Sequence, residues 1–303
     1  MEQLDSLAPA GDGSFEFAQF SDPHLTSLDG VDPGALRDKR ILGWLSWRRK
    51  RAAYHDRAIV ERLVTDARTA GIEDWVVTGD LTHIGLPQEI DDAARWLTSL
   101  GASDRVSAIP GNHDLYVADP SATMHRTWAP FMRSDDGSDG FPWVRLRGPV
   151  ALIGLDSAWA APWLMATGEL GKAQRERVRH VLDATGRAGY VRVCLIHHAP
   201  LPGLDKWRKR LVDAPAFDRL LAECGAELVL HGHGHRLRVQ DSPVPVVQAP
   251  SASASSPEGD HRAAWLRYRV ERRGHDHEIE VVAHGVDGEI ARHVFTGSAA
   301  PEA

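Results

Sequence analysis

Five short stretches carry side chains able to hold metal ions. They are Asp22-Pro23-His24, Gly79-Asp80, Gly111-Asn112-His113-Asp114, His197-His198-Ala199-Pro200 and His231-Gly232-His233-Gly234-His235. Carboxylates, imidazoles and an amide oxygen, with no thiolate among them, suit manganese, iron(II) or zinc. A carboxylate between two divalent ions can offer one oxygen to each, and two ions about 3.5–4 Å apart can clamp a phosphate for in-line displacement. Glycines beside such ligands let the backbone turn sharply and approach a substrate. Each stretch alone has a plainer reading: Asp-Pro-His and Gly-Asp are common turns, and paired or glycine-spaced histidines are common on surfaces. Asn112-His113-Asp114 after Pro110-Gly111 is the most specific piece, because a plain turn gains nothing from that order. The conjunction decides, since all five follow apolar runs.

Those runs are the elements that must position the ligands. Phe15 to Phe20, Trp75 to Thr78, Val106 to Ile109, Val191 to Ile196 and Leu228 to Leu230 read as strands, and each feeds one of the five loops. Val150 to Leu155 reads as a further strand ending at Asp156. Ile59, Val60, Leu63, Val64 and Ala67 recur at helical spacing before Gly71, and Ile90, Ala93, Ala94 and Leu97 do so before Gly101. Val178, Val181 and Leu182, then Phe217, Leu220 and Leu221, mark two more helices. The strand–loop–helix rhythm predicts an α/β fold. Ligands in such sheets bind outside the carboxyl ends of the strands, so parallel strands would bring the five loops to one edge. Val244 to Val247, Trp265 to Val270 and Glu278 to Val282 predict an antiparallel, β-rich end, and 131–140 and 249–260 predict loops.

The composition is that of a globular chain: 303 residues, a quarter of them charged, with a formal net charge of -7. Two cysteines, Cys194 and Cys224, predict reduced thiols and a cytoplasmic setting rather than a disulfide framework. The first residues have neither the basic nor the apolar region of a secretory signal, and no apolar run is long enough to cross a bilayer. The acidic balance weighs against wholesale nucleic-acid binding.

The ordered set DPH, GD, GNHD, HHAP and HGHGH, from Asp22 to His235, resembles the motif set of the calcineurin-like metallophosphoesterase superfamily. The resemblance implies a four-layer α/β/β/α sandwich of two central mixed sheets. It predicts one domain over 14–296, with tails at 1–13 and 297–303 and a basic, aromatic insertion near 31–53. It implies two divalent ions, manganese first, with iron(II) and zinc as alternatives. Asp22, His24 and His235 would hold one ion, Asn112, His198 and His233 the other, and Asp80 would bridge them. His198 is expected over His197 because the family's ligand stands two residues before the proline, here Pro200. His113 would stabilise the phosphoryl oxygen or protonate the leaving group, with Asp114 orienting it. His83 stands where many relatives carry an aspartate, and no role is assigned to it.

The motifs leave the phosphoester open, and two other stretches bear on it. GWLSWRRKR (43–51) and KWRKR (206–210) interleave tryptophan with basic residues on either side of the ligand loops. Their plain reading is packing: Ile41, Trp44 and Leu45 fit one helical face, and Trp207 could lie on the core. Their functional reading is substrate contact through Trp44, Trp47, Arg48, Trp207, Arg208 and Arg210. Tryptophan with arginine suits a bilayer interface or a stack of bases, and the net charge favours lipid. KRILGWLSWRRKR and PLPGLDKWRKRLVDAP also resemble a bacterial branch that includes manganese-dependent phospholipase C enzymes. That implies hydrolysis of glycerophospholipids to diacylglycerol and a phosphorylated headgroup, with peripheral contact at the inner face of the membrane. The alternatives are a soluble phosphodiesterase acting on a cyclic nucleotide, a glycerophosphodiester or a UDP-diacylglucosamine, and a non-catalytic scaffold. The complete set of ligand positions weighs against the scaffold.

Overall fold

The computed structural model describes residues 7–119, 122–256 and 259–298. Strands β1 (Gly13–Phe20), β2 (Trp75–Val77), β3 (Val106–Ala108), β4 (Trp143–Arg147), β5 (Val150–Gly154), β6 (Val191–Leu195), β7 (Leu228–His231), β8 (Arg238–Gln240), β9 (Val246–Gln248), β10 (Ala264–Arg273), β11 (Asp276–Gly285) and β12 (Gly288–Ser298) form two sheets. Their orders are β12-β11-β10-β1-β2-β3 and β4-β5-β6-β7-β9-β8. Both are mixed. β1, β2 and β3 run parallel while β10 to β12 form an antiparallel meander, and β5, β6, β7 and β9 run parallel between antiparallel edges.

The helices are α1 (Arg40–Ser46), α2 (Ala52–Tyr54), α3 (Arg57–Thr69), α4 (Pro87–Leu100), α5 (Thr123–Trp128), α6 (Gly171–Arg187) and α7 (Ala214–Cys224). In α3, Val60, Leu63, Val64 and Ala67 fall on one buried stripe, and Asp56 caps the first turn through Ala58 N–H. Trp265 of β10 donates its indole N–H to Asp66, which pins α3 to the first sheet. Helices α6 and α7 cover the second sheet, where Val178, Leu182, Phe217 and Leu221 meet Ile153, Cys194 and Val229. The core between the sheets joins Phe17, Val76, Leu266 and Tyr268 of the first sheet to Leu152, Val193, Leu195 and Leu228 of the second. The result is the expected four-layer α/β/β/α sandwich.

Some elements differ from the sequence expectation. Strand β12 is mostly exposed and β4 is interrupted by Arg145 and Arg147, so neither shows an apolar run. The predicted loop at 249–260 includes Pro257 and Glu258, which lie outside the described residues, as do 1–6 and 299–303 of the predicted tails. Ala10 pairs its backbone N–H with Ala188 and accepts from Arg272.

The 31–53 insertion folds as a short 3-10 turn (Pro33–Leu36), α1, one π-helical turn (Trp47–Arg51) and α2. Trp47 is buried with Leu28, Leu36, Ile84 and Leu86. The inward face therefore runs through Gly43 and Trp47, while Ile41 is exposed and Trp44 and Leu45 are half-buried. The wide turn rotates the chain out of the phase that a regular 3.6-residue helix would keep. Trp47→Ala is expected to lower the unfolding free energy by about 3–5 kcal/mol. A denaturant midpoint unchanged from wild type would count against this packing role.

Candidate metal centre

All five ligand-bearing loops leave the carboxyl ends of parallel strands, and the two sheets bring those ends together. The turns needed there are tight. Asp22, His24, Asp80, His233 and His235 all have positive φ, between 40° and 65°. Each such residue costs of order 1–3 kcal/mol, which the surrounding packing must overdetermine. Gly111 has to be glycine for a different reason: a Cβ there would stand 2.2 Å from Asp80 Oδ1.

Asp80 lies at the middle of the arrangement. Among the described residues, one group of mutually close donor atoms comes from Asp22, His24, Asp80 and His235, and a second from Asp80, His197 and His233. Asp80 Oδ2 is 4.0 Å from His24 Nε2 and 3.3 Å from His197 Nε2, while Asp22 Oδ1 is 3.1 Å from His235 Nε2. The other atoms of these side chains are already engaged. Asp80 Oδ1 accepts from His113 N–H at 2.7 Å, and Asp22 Oδ2 accepts from Ser21 Oγ at 2.6 Å and His233 N–H at 3.0 Å. His24 and His197 each point Nδ1 at a backbone carbonyl, Thr82 at 2.7 Å and Thr78 at 2.8 Å. A proton on those Nδ1 atoms leaves Nε2 free as a donor to a metal.

The donor set fits divalent ions. Asn112 Oδ1, His198 Nε2 and His233 Nε2 are buried with no hydrogen-bond partner, and Asp22 Oδ1 and His197 Nε2 are buried with only the His235 and Asp80 contacts. Unsatisfied buried polar atoms are costly, and three from the predicted ligand loops call for something to bind them. The electrostatics agree. Burial opposes ionisation of Asp22, but His235 and His197 hold its carboxyl well below the usual range. Burial likewise opposes protonation of His197, yet Asp80 and Asp22 raise it to about 10. The carboxylates therefore draw positive charge between them. Burial, reinforced by neighbouring histidines, holds His24, His198 and His233 far below the ordinary imidazole value, so they remain neutral donors.

The family model for calcineurin-like phosphoesterases matches residues 15–237. The chain belongs to that family. Its members' fold is also found in solved structures of low identity. A dimetal phosphatase from Danio rerio superposes with a TM-score of 0.65 at 14% identity, over 96% of this chain and 100% of the other. The yellow lupin (Lupinus luteus) purple acid phosphatase PPD1 gives 0.56 at 13% identity, over 96% and 55%. GAP50, described as the anchor in the inner membrane complex of Plasmodium, gives 0.51 at 9% identity, over 94% and 88%. No curated protein matches the sequence. The chain is thus a phosphoester hydrolase, and its two clusters sharing Asp80 suit a pair of divalent ions.

Within this phosphoesterase, three placements depart from the residue-by-residue expectation. His197, rather than His198, stands beside Asp80. His198 turns the other way: its Nδ1 is 2.8 Å from Ser157 Oγ, and a Cβ on Gly168 would meet that nitrogen at 2.2 Å. Asp114 does not reach the His113 ring. It accepts from the backbone N–H groups of Asp80, Gly111 and Thr82 at 2.8, 2.8 and 2.9 Å, and so ties two ligand loops together. Burial and nearby Asp80 push its carboxyl up to about 7 in spite of those donors. His113 points Nδ1 at the His83 carbonyl, 2.5 Å away. His83 stacks on His24, with ring centroids 5.0 Å apart.

The predicted contact residues divide. Trp47 is core, and half-buried Trp44 lies under Arg48, whose guanidinium carbon is 4.8 Å from the ring. Trp207 is 61% exposed with Arg208 over it at 5.0 Å, and Arg210 is exposed. Residues not singled out in the sequence reach the centre instead. Arg51 contacts His113, Tyr54 stacks on His235, and the His55 ring centroid is 4.3 Å from that of His24. Ser251 Oγ donates to the Asp22 carbonyl, and Ser253 Oγ lies 2.7 Å from His55 Nδ1. A signal existed for Arg51: it lies one turn beyond Trp47, whose apolar ring had to face inward.

Proposed function

We propose that this phosphoesterase cleaves the phosphodiester of glycerophospholipids, releasing diacylglycerol and a phosphorylated headgroup. The carrying observation is an apolar, cationic rim beside the centre. Trp163, Leu164 and Trp207 are 59%, 69% and 61% exposed. Their segments run side by side just beyond them: Ala166 N–H bonds to Arg208 O, Gly168 N–H to Arg210 O, and Gly168 bridges Leu211. Trp159 extends the rim, and Lys206, Arg208, Lys209 and Arg210 surround it with positive charge. The same segment carries Ser157 and Gly168 against His198, so the rim borders the ligand loops. Aromatic rings with basic neighbours suit the headgroup zone of an anionic bilayer. Among the described residues no helix is long and apolar enough to cross a membrane, which leaves surface contact as the mode.

In this reading Asp22, His24 and His235 hold one ion, Asn112, His197 and His233 the other, and Asp80 both, manganese being the preferred metal. Two such ions supply Lewis-acid charge and an activated nucleophile. The chain's own part is to fix the donors through the Thr78 and Thr82 carbonyls and to shape the approach of the diester. The test is a manganese-supplemented panel of phosphatidyl lipids in vesicles, a cyclic nucleotide, a UDP-linked diester and an aryl diester. Diacylglycerol release from vesicles is expected. Replacing Trp163, Leu164 and Trp207 together by serine should weaken vesicle binding at least about tenfold, since each buried ring or leucine contributes about 1.5–3 kcal/mol. High salt should weaken it further through the arginines and lysines. Efficient cleavage of the cyclic nucleotide with no release from lipid would overturn the reading.

A further inference from the structure

The basic stretch 48–51 does not present its four cations alike. Arg48, Arg49 and Lys50 are exposed, whereas Arg51 turns inward. Two features aim it. Trp47, at the other end of the same π-helical turn, is locked among Leu28, Leu36, Ile84 and Leu86. His113, held by the His83 carbonyl and stacked on Tyr116, receives the guanidinium: Arg51 Nη1 is 3.0 Å from His113 Nε2 and 3.2 Å from Nδ1. Among the described residues no carboxylate lies within ion-pairing distance of Arg51, although acidic partners are found for most of the chain's inward-turned arginines, such as Arg175 with Asp213 and Arg192 with Glu227.

Arg145, likewise without a carboxylate, spends its donors on the carbonyls of Arg133, Ser103, Val106 and Pro130, whereas the bonds of Arg51 go to the His113 ring alone, and an inward cation left so short of acceptors costs free energy unless an anion completes it. The anion this site must accept is a phosphodiester. A guanidinium offers a planar fork that matches two phosphate oxygens, and charge on those oxygens grows as an in-line displacement proceeds. The hydrogen-bond directions add a second point. With its Nδ1 proton given to the His83 carbonyl, His113 presents Nε2 as an acceptor, and the donor on this side is Arg51.

We infer that Arg51 is a catalytic residue that binds the non-bridging phosphoryl oxygens of the substrate, with His113 as the positioning residue that aims it. The inference rests on the phosphodiester reading of the centre but not on the lipid.

Two measurements on the manganese-loaded full chain test it: inorganic phosphate binding by calorimetry, and hydrolysis of an aryl phosphodiester. Arg51→Met should weaken both phosphate affinity and kcat/KM about 10- to 100-fold, the range for losing charge-assisted hydrogen bonds. Metal content should stay at the wild-type value, and millimolar guanidinium should restore part of the activity of Arg51→Ala. Should Arg51→Met fail to fold, Arg51→Lys carries the test, since it keeps the charge and loses the fork; it should bind phosphate several-fold more weakly. Phosphate affinity within twofold of wild type in the folded variant, or no phosphate binding by the wild type, would overturn the inference. Loss of phosphate affinity in Arg51→Met with no lipid cleavage by the wild type would uphold it while removing the lipid substrate.

Discussion

Asp80→Asn is expected to abolish phosphodiester hydrolysis while leaving the fold in place. The amide keeps the size of the carboxylate, and its carbonyl can still accept the His113 N–H that Asp80 Oδ1 now takes at 2.7 Å. What it removes is the charge on Oδ2, the one atom close to both His24 Nε2 and His197 Nε2. Both donor groups lose their shared anion at once, and a neutral amide cannot hold two divalent ions by a single oxygen. The rate should fall by at least about 10³-fold, because loss of even one preorganised charge-stabilising group costs 10²–10³. Elemental analysis after desalting should show fewer than two ions per chain, with a thermal transition still present. Two ions and near wild-type turnover would remove Asp80 from the bridging position.

The candidate ligand loops, which the structure gathers at one edge of the sheets, were legible in the sequence because each requirement there is local. A strand must end, a tight turn must follow, and a donor must stand in the turn. Asp22, Asp80, Asn112 and the His231–His235 run satisfy all three within a few residues. Asp114 was legible as a member of the motif, but not in its role. Its three N–H donors come from Asp80, Thr82 and Gly111, and only the last is near in sequence. Arg51, Tyr54 and His55 were hidden for another reason. Arg51 ends the π-helical turn and Tyr54 and His55 follow it, so their direction depends on that turn, and composition marked the stretch as a uniform cationic surface. The exposed pair Trp163 and Leu164 drew no attention because its meaning lies in the backbone ladder to Arg208 and Arg210, which joins segments about forty residues apart. Strand β12 was missed because its residues are mostly exposed, so the apolar alternation that marks a strand is weak there.

His197→Ala and His198→Ala should separate cleanly, and the pleat of β6 says why. Along this strand Val193 and Leu195 face the core between the sheets, while Cys194 and Ile196 face α6 and α7. Alternation carries the first face on to His197, which therefore points toward Asp80 on the opposite sheet, and the second to His198, which points away to Ser157 and Gly168. Counting back from Pro200 selects His198 because it measures distance along the loop and ignores which side of the sheet the chain leaves from. Both faces of β6 are apolar, so the sequence does not say which side is the site. His197→Ala should therefore lose one ion and at least about 10³-fold in rate, as for Asp80. His198→Ala should keep both ions. Its ring packs against that of His233 with centroids 4.6 Å apart, which under the proposed assignment would make it an outer partner of a ligand, and such partners are worth about 10- to 100-fold. Metal stoichiometry divides the two cases without reference to any substrate. One ion in His198→Ala and two in His197→Ala would return the ligand to the residue that the proline spacing selects.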